Sequence, residues 1–190
     1  MTPEQQIFIE EELYSMTLMA TVQRGNIYRV GVSEKDRGCL RIALQKELAN
    51  LLQFYQSDVL DSVHITNVES LSNKLSDSYN NILADSRFRI GSAQKALNLY
   101  LKYMWCIGLI PRPPHCPFDS VVLSRIPGCE NMKWTQIDLV SDYNFIVERA
   151  KVVAGNVSLA EWELQLYNSA QPGAPEGRSA SKLRLLSPRP

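Results

Sequence analysis

The fold turns on the stretch Phe88-Arg89-Ile90-Gly91-Ser92-Ala93-Gln94-Lys95-Ala96-Leu97-Asn98-Leu99-Tyr100-Leu101-Lys102-Tyr103-Met104-Trp105. Ala93, Leu97, Tyr100, Leu101 and Met104 recur at steps of three and four, the spacing of one helical face. A helix is therefore expected from about Gly91–Ser92 to about Ile107, roughly 24 Å long at 1.5 Å per residue. Lys95, Asn98, Lys102 and Trp105 fall along a second stripe of the same helix. Gly108 stops the helix. Pro111, Pro113, Pro114 and Pro117 then forbid regular structure until Asp119, whose side chain can cap a helix running through Ile126.

On the N-terminal side, residues 4–23 read as a helix, with Pro3 near its start, acidic residues in its first turn and Ile7, Leu13, Leu18 and Val22 as its apolar positions. Ile27 to Val32 alternates weakly and is expected to be a packed loop, because one short strand has nothing to pair with. Ser33 caps the next helix, which carries Leu40, Leu44, Leu48, Leu51 and Tyr55 on one face and ends near Gln56. A connector with Asp58, Asp61 and His64 leads to Thr66-Asn67, a cap signal for a helix from about Val68 to Leu83.

On the C-terminal side, Ser141 opens a helix containing Tyr143, Ile146, Val147 and Ala150, and Ser158-Leu159-Ala160-Glu161 has the spacing of a capping box before a short last helix. From Ser169 the composition shifts to Pro, Gly, Ser, Ala and basic residues, the pattern of a disordered tail over 169–190. The chain is thus expected to be all-α, a single helical domain of about seven helices over 1–168.

Bulk properties narrow the function classes. Hydrophobic residues make up 45% and charged residues 21% of the 190 positions, an ordinary globular balance in which no apolar run reaches the length of a membrane span. Glu4, Glu10, Glu11 and Glu12 stand where a signal peptide would carry basic residues, and Cys39, Cys106, Cys116 and Cys129 lack C-x-x-C spacing. Free thiols in a cytoplasmic protein, acting as a monomer without a membrane partner, are the expectation. His115-Cys116 has only His64 as a further imidazole, so no metal is expected, and no other cofactor is called for.

Net charge is zero but unevenly spread: residues 1–85 hold 7 basic and 12 acidic groups, whereas residues 86–129 hold 6 basic and 1 acidic. That acid is Asp119, among Arg87, Arg89, Lys95, Lys102, Arg112 and Arg125. A lone carboxylate in a basic, aromatic-rich segment is what an enzyme acting on a polyanion needs, and it is also what a solvated face with one helix cap looks like.

Ile90-Gly91, a helix bearing Lys95, and a proline-marked loop ending in Phe118-Asp119-Ser120-Val121-Val122 resemble the helix-hairpin-helix DNA glycosylase superfamily, of 8-oxoguanine glycosylase and endonuclease III type. The likeness spans about residues 85–126 and extends more loosely to phage-defence glycosylases that excise glucosylated hydroxymethylcytosine. It implies that a Gly-containing hairpin touches DNA phosphate, that the following helix carries a lysine nucleophile, and that an aspartate caps the next helix beside a flipped nucleotide. The family hairpin reads Leu-Pro-Gly-Val-Gly, of which Ile90-Gly91 keeps the last apolar–glycine pair. The family lysine follows that glycine by two residues, and Lys95 follows Gly91 by four.

The resemblance implies base excision from DNA containing a modified base, with Asp119 as the carboxylate that stabilises the sugar cation or activates water, and with Lys95 as nucleophile or phosphate contact. Trp105, Phe118 and His115 are the expected pocket residues and Asn98 a reader of the base edge. Arg87, Arg89, Gly91, Ser92, Lys102 and Arg125 are the expected contacts to the DNA backbone. The other reading of the same residues is a helical nucleic-acid or protein interaction module with no catalytic centre.

Overall fold

A computed structural model describes residues 1–23 and 25–169. Seven α-helices follow in order, with no strand among the described residues: α1 (Pro3–Leu18), α2 (Glu34–Leu52), α3 (Asp61–Tyr79), α4 (Ile90–Cys106), α5 (Ser120–Leu123), α6 (Val140–Ala154) and α7 (Leu159–Ser169). A π-helical turn, Met19–Gln23, extends α1, and short 3-10 turns cover Gln53–Tyr55, Ala84–Ser86 and Trp134–Gln136. The all-α class is as the sequence indicates. The expected tail over 169–190 lies outside the described residues except for Ser169, the last residue of α7.

Local signals set several of the ends. Thr2 and Gln5 cap α1 reciprocally, and Ser33 accepts from the amide of Asp36 at the start of α2. At the end of α4, Leu109 N–H donates to Met104 and Gly108 N–H to Trp105, the two bonds of a Schellman motif. Gly108 supplies the positive φ of 79° that this turn requires.

Two boundaries differ from the sequence reading. Helix α3 begins at Asp61, with no side-chain cap at Leu60, and ends at Tyr79. Packing explains the earlier start: the added turn puts His64 in the interior, while Thr66 bonds back to Ser62 within the helix instead of capping one. Helix α5 is a single turn, after which the chain passes through turns to Ile126. The loop Ile27–Val32 makes one antiparallel bridge, Tyr28 to Leu83, flanked by Arg29 N–H to Ile82 at 2.9 Å and Ala84 N–H to Ile27 at 2.8 Å.

Helix α4 is the axis of the molecule. It packs against α1, α2, α3 and α6 and against the Trp134–Gln136 turn, and every residue from Ile90 to Lys102 is buried. The second stripe is interior too: Lys95, Asn98 and Lys102 are buried and Trp105 is partly buried. Two serines of α3 fix the entry to α4, Ser72 donating to the Phe88 carbonyl at 2.6 Å and Ser76 accepting from the Phe88 amide at 2.9 Å. Gly91 is obligatory at this entry, because a Cβ there would stand 1.7 Å from the carbonyl oxygen of Trp134.

Candidate functional site

The structure brings Lys95 and Asp119 together. Lys95 Nζ donates to Asp119 Oδ2 at 2.7 Å, joining the central helix to the single turn of α5. The other carboxylate oxygen, Oδ1, accepts from the amides of Val121 and Val122 at 3.0 Å each, so Asp119 is the N-cap of α5. The Lys95 side chain is 8% exposed and that of Asp119 32%, so part of the Asp119 side chain reaches solvent while the lysine does not. Burial raises the affinity of Asp119 for a proton, but the Lys95 ammonium and the two amides outweigh it and hold the carboxyl below the ordinary aspartate value. Lys95 Nζ also lies 5.9 Å from the Trp134 ring centre.

Helical geometry places a second pair nearby. Lys102 is seven residues beyond Lys95, about 20° round the helix and two turns along it. Its ammonium sits 2.6 Å from Glu163 Oε2 and 2.8 Å from Oε1, with both side chains at or below 10% exposure. The Oε2 contact is close but poorly aligned for a hydrogen bond, so the bond proper is the one to Oε1. Tyr167 of α7 covers the ammonium at 4.7 Å from its ring centre. Here burial prevails over the lysine, and the Glu163 carboxyl is pushed up.

A third set of polar groups runs through the core beside these pairs. Gln94 Nε2 donates to the carbonyls of Phe118 at 2.9 Å and Gly91 at 3.1 Å, while its Oε1 accepts from the Phe118 amide at 3.1 Å. Asn98 Nδ2 donates to Gln94 Oε1 and to the Tyr143 hydroxyl, both at 3.2 Å. The Tyr143 hydroxyl lies 2.7 Å from His115 Nδ1, and His115 Nε2 points at Asp61 at 3.5 Å, a charge contact too long to count as a well-formed hydrogen bond. His64 stacks edge-on against His115, ring centres 4.5 Å apart, and its Nδ1 meets the Tyr55 hydroxyl at 2.7 Å. Burial holds both imidazoles toward the neutral form, most strongly for His64, although Asp61 opposes the shift at His115.

The remaining expected site residues occupy other positions. Asn98, Phe118 and His115 are fully buried in the core, where Asn98 serves the internal network and Phe118 packs edge-to-face on Tyr143, 6.0 Å between ring centres. None of the three presents a surface to a base in this conformation. Trp105 is partly buried against the core. The Gly91 amide donates to Ile137 at 2.8 Å and that of Ser92 to Arg89 at 2.9 Å, so neither amide faces a phosphate.

Most of the concentrated positive charge is paired, four of the six basic groups with acids outside residues 86–129. Arg87 pairs with Asp138, Arg89 with Asp85 and Arg112 with Glu161, besides the two lysine pairs. Arg125 is exposed and has no ion-pair partner among the described residues. Sequence reading missed Gln94, Asp61, Tyr143 and Glu163. The available signal was a set of polar residues inside apolar helical periods, Gln94 between Ala93 and Ala96 above all, but their partners lie far along the chain.

Among the described residues no group of three or more His, Cys, Asp or Glu could hold a metal, and no helix is long and apolar enough to cross a membrane. A cavity of about 900 Å³ lies away from the Lys95–Asp119 pair, between α1, the π-helical turn, the Asn26–Gly31 loop and α2. Comparison with protein-family models, with curated proteins and with solved structures gives no match to the chain.

Proposed function

We propose that the protein is a DNA glycosylase that flips a modified nucleotide and cleaves its N-glycosidic bond with Asp119. One observation carries the reading: a carboxylate, partly open to solvent, held ionised at a helix start by Lys95 and two backbone amides. Breaking the bond between C1′ and the base nitrogen builds positive charge on the sugar, which a fixed carboxylate stabilises. Water adds at C1′, the base leaves with a proton, and an abasic site remains. Lys95 orients Asp119 and favours its charged form, and the exposed Arg125, six residues after Asp119, would contact the DNA backbone.

Incubation with DNAs containing defined modified bases, scored for abasic sites, tests this. Asp119→Asn is expected to abolish release with folding intact; unchanged release would remove Asp119 from the mechanism. Borohydride trapping asks whether Lys95 forms an imine, and with Lys95 committed to the carboxylate no covalent adduct is expected.

A second reading, a helical interaction module without a catalytic centre, is favoured by a different observation. Five of the six basic groups of residues 86–129 are paired internally, and the 900 Å³ cavity is lined by Leu18, Met19, Val22, Arg37 and Arg41, away from Asp119. Salt-sensitive DNA binding without base release would select it.

A further inference from the structure

We infer that Gln94 is a positioning residue for Asp119, its amide locked in one orientation by the Phe118 main chain and by a directional chain of hydrogen bonds that runs through Asn98 and Tyr143 to His115. The inference rests on the glycosylase reading for its functional meaning, and on geometry for its structural content.

Two consecutive residues of α4 hold Asp119 from two sides. Lys95 binds the carboxylate, and Gln94 binds the main chain of the residue before it, donating to the Phe118 carbonyl and accepting from the Phe118 amide. The Phe118 carbonyl belongs to the peptide plane that leads into Asp119, so rotation of that plane would swing the carboxylate. A primary amide that bonds both groups of one residue has a fixed sense: flipping Gln94 would set its oxygen against the Phe118 carbonyl and its nitrogen against the amide.

The pattern assigns every proton further along. Asn98 Nδ2 supplies hydrogens to Gln94 Oε1 and to the Tyr143 oxygen, and with the Asp61 carboxylate facing Nε2 a neutral His115 accepts the Tyr143 hydrogen at Nδ1. His115 then carries its proton on Nε2, facing Asp61. On the other branch Asn67 donates to the Tyr55 oxygen at 3.1 Å, so Tyr55 donates to His64 Nδ1 and His64 is protonated at Nε2. Three network atoms have no hydrogen-bond partner among the described residues, Asn98 Oδ1, His64 Nε2 and His115 Nε2, so the Asn67–Tyr55–His64 branch stands apart from the chain that begins at Gln94. Reversing Gln94 or Asn98 alone would oppose two donors or two acceptors in the buried interior.

Amide hydrogen exchange on the full chain, read by NMR, tests the assignment. In Gln94→Met, which keeps the volume and removes the bonds, Phe118, Val121 and Val122 should exchange at least about tenfold faster while Leu97 and Leu101 stay within about twofold of wild type. The Asp119 carboxyl should titrate closer to the ordinary aspartate value. Tyr143→Phe, which keeps the ring, should move the same three amides in the same direction and serves if Gln94→Met does not fold. Unchanged exchange at these amides, or uniform acceleration across the chain, overturns the inference. Where the wild type releases a base, Gln94→Met should lower kcat with KM within about twofold. Base release that survives Asp119→Asn would sink the glycosylase reading and leave the exchange result to decide Gln94 by itself.

Discussion

Two lysine–carboxylate pairs stand on one side of α4, two helical turns apart, and the same chemistry is poised in opposite ways. Asp119 keeps about a third of its side chain in solvent and gains two backbone amides from the turn it caps, so its charged form is favoured. Glu163 has its lysine and little else to offset burial under Tyr167, so its proton affinity rises. A lysine alone does not keep a buried carboxylate ionised; fixed amides and access to water decide the balance. By this difference Asp119 suits an electrostatic role at a surface, and the Lys102–Glu163 pair serves to tie α7 to the core.

The largest effect should come from breaking the buried pair. Lys102→Met leaves Glu163 without a counter-charge and should cost about 3–5 kcal/mol in urea denaturation at neutral pH, most of it recovered in the double variant with Glu163→Leu. Recovery that fails would show the pair to be more than a tie. Gly91→Ala should cost at least about 3 kcal/mol, because the new Cβ collides with the Trp134 carbonyl, and it should loosen the Trp134 ring beside Lys95.

The pH dependence separates the two pairs from the histidine network. His64 and His115 resist protonation in the folded chain but not in the unfolded chain, so their contribution is complete above about pH 6.5 and falls as pH drops, by about 1.4 kcal/mol per pH unit for each imidazole still neutral. Asp119 and Asp61, both held below the ordinary aspartate value, contribute above that value and lose the contribution only as pH falls through their depressed ones; His115 and Lys151 are what lower Asp61. Glu163 acts in the reverse sense, favouring the fold as it takes up its proton. Stability that is flat between pH 6.5 and 5 would remove the buried neutral imidazoles from the account.

The smallest effect separates charge from cap. Asp119→Ala loses both the N-cap and the partner of the buried Lys95 and should cost about 2–3 kcal/mol, whereas Asp119→Asn retains a capping oxygen and should cost about 1 kcal/mol less. Thermal denaturation of the two variants gives the ratio. Equal losses would mean that the charge, and not the cap, dominates the stability of α5.

Helix α4 was legible because its apolar spacing, its entry glycine and its Gly108 stop are local signals, and they agree with the structure to within a residue or so. The start of α3 was not legible, since Thr66-Asn67 is a good local cap and only the burial of His64 beside His115 overrules it. The polar stripe is visible in the sequence, but its partners are not. Lys95, Asn98 and Lys102 bond to Asp119, Tyr143 and Glu163, which lie 24, 45 and 61 residues away along the chain. Arg87 likewise spends its charge on Asp138, 51 residues on.

The sequence by itself determined that the chain is helical, where α4 starts and stops, and that Asp119 starts a helix after a proline loop. Those follow from periodicity, backbone restriction and capping, each of which acts within a few residues. Tertiary structure alone decided which polar groups are free. It spent most of the basic segment on internal ion pairs, buried Asn98, His115 and Phe118, and left part of the Asp119 side chain in solvent beside Lys95. Charge and hydrogen-bonding capacity are properties of a residue, but whether they remain available depends on partners that only the folded chain brings within reach.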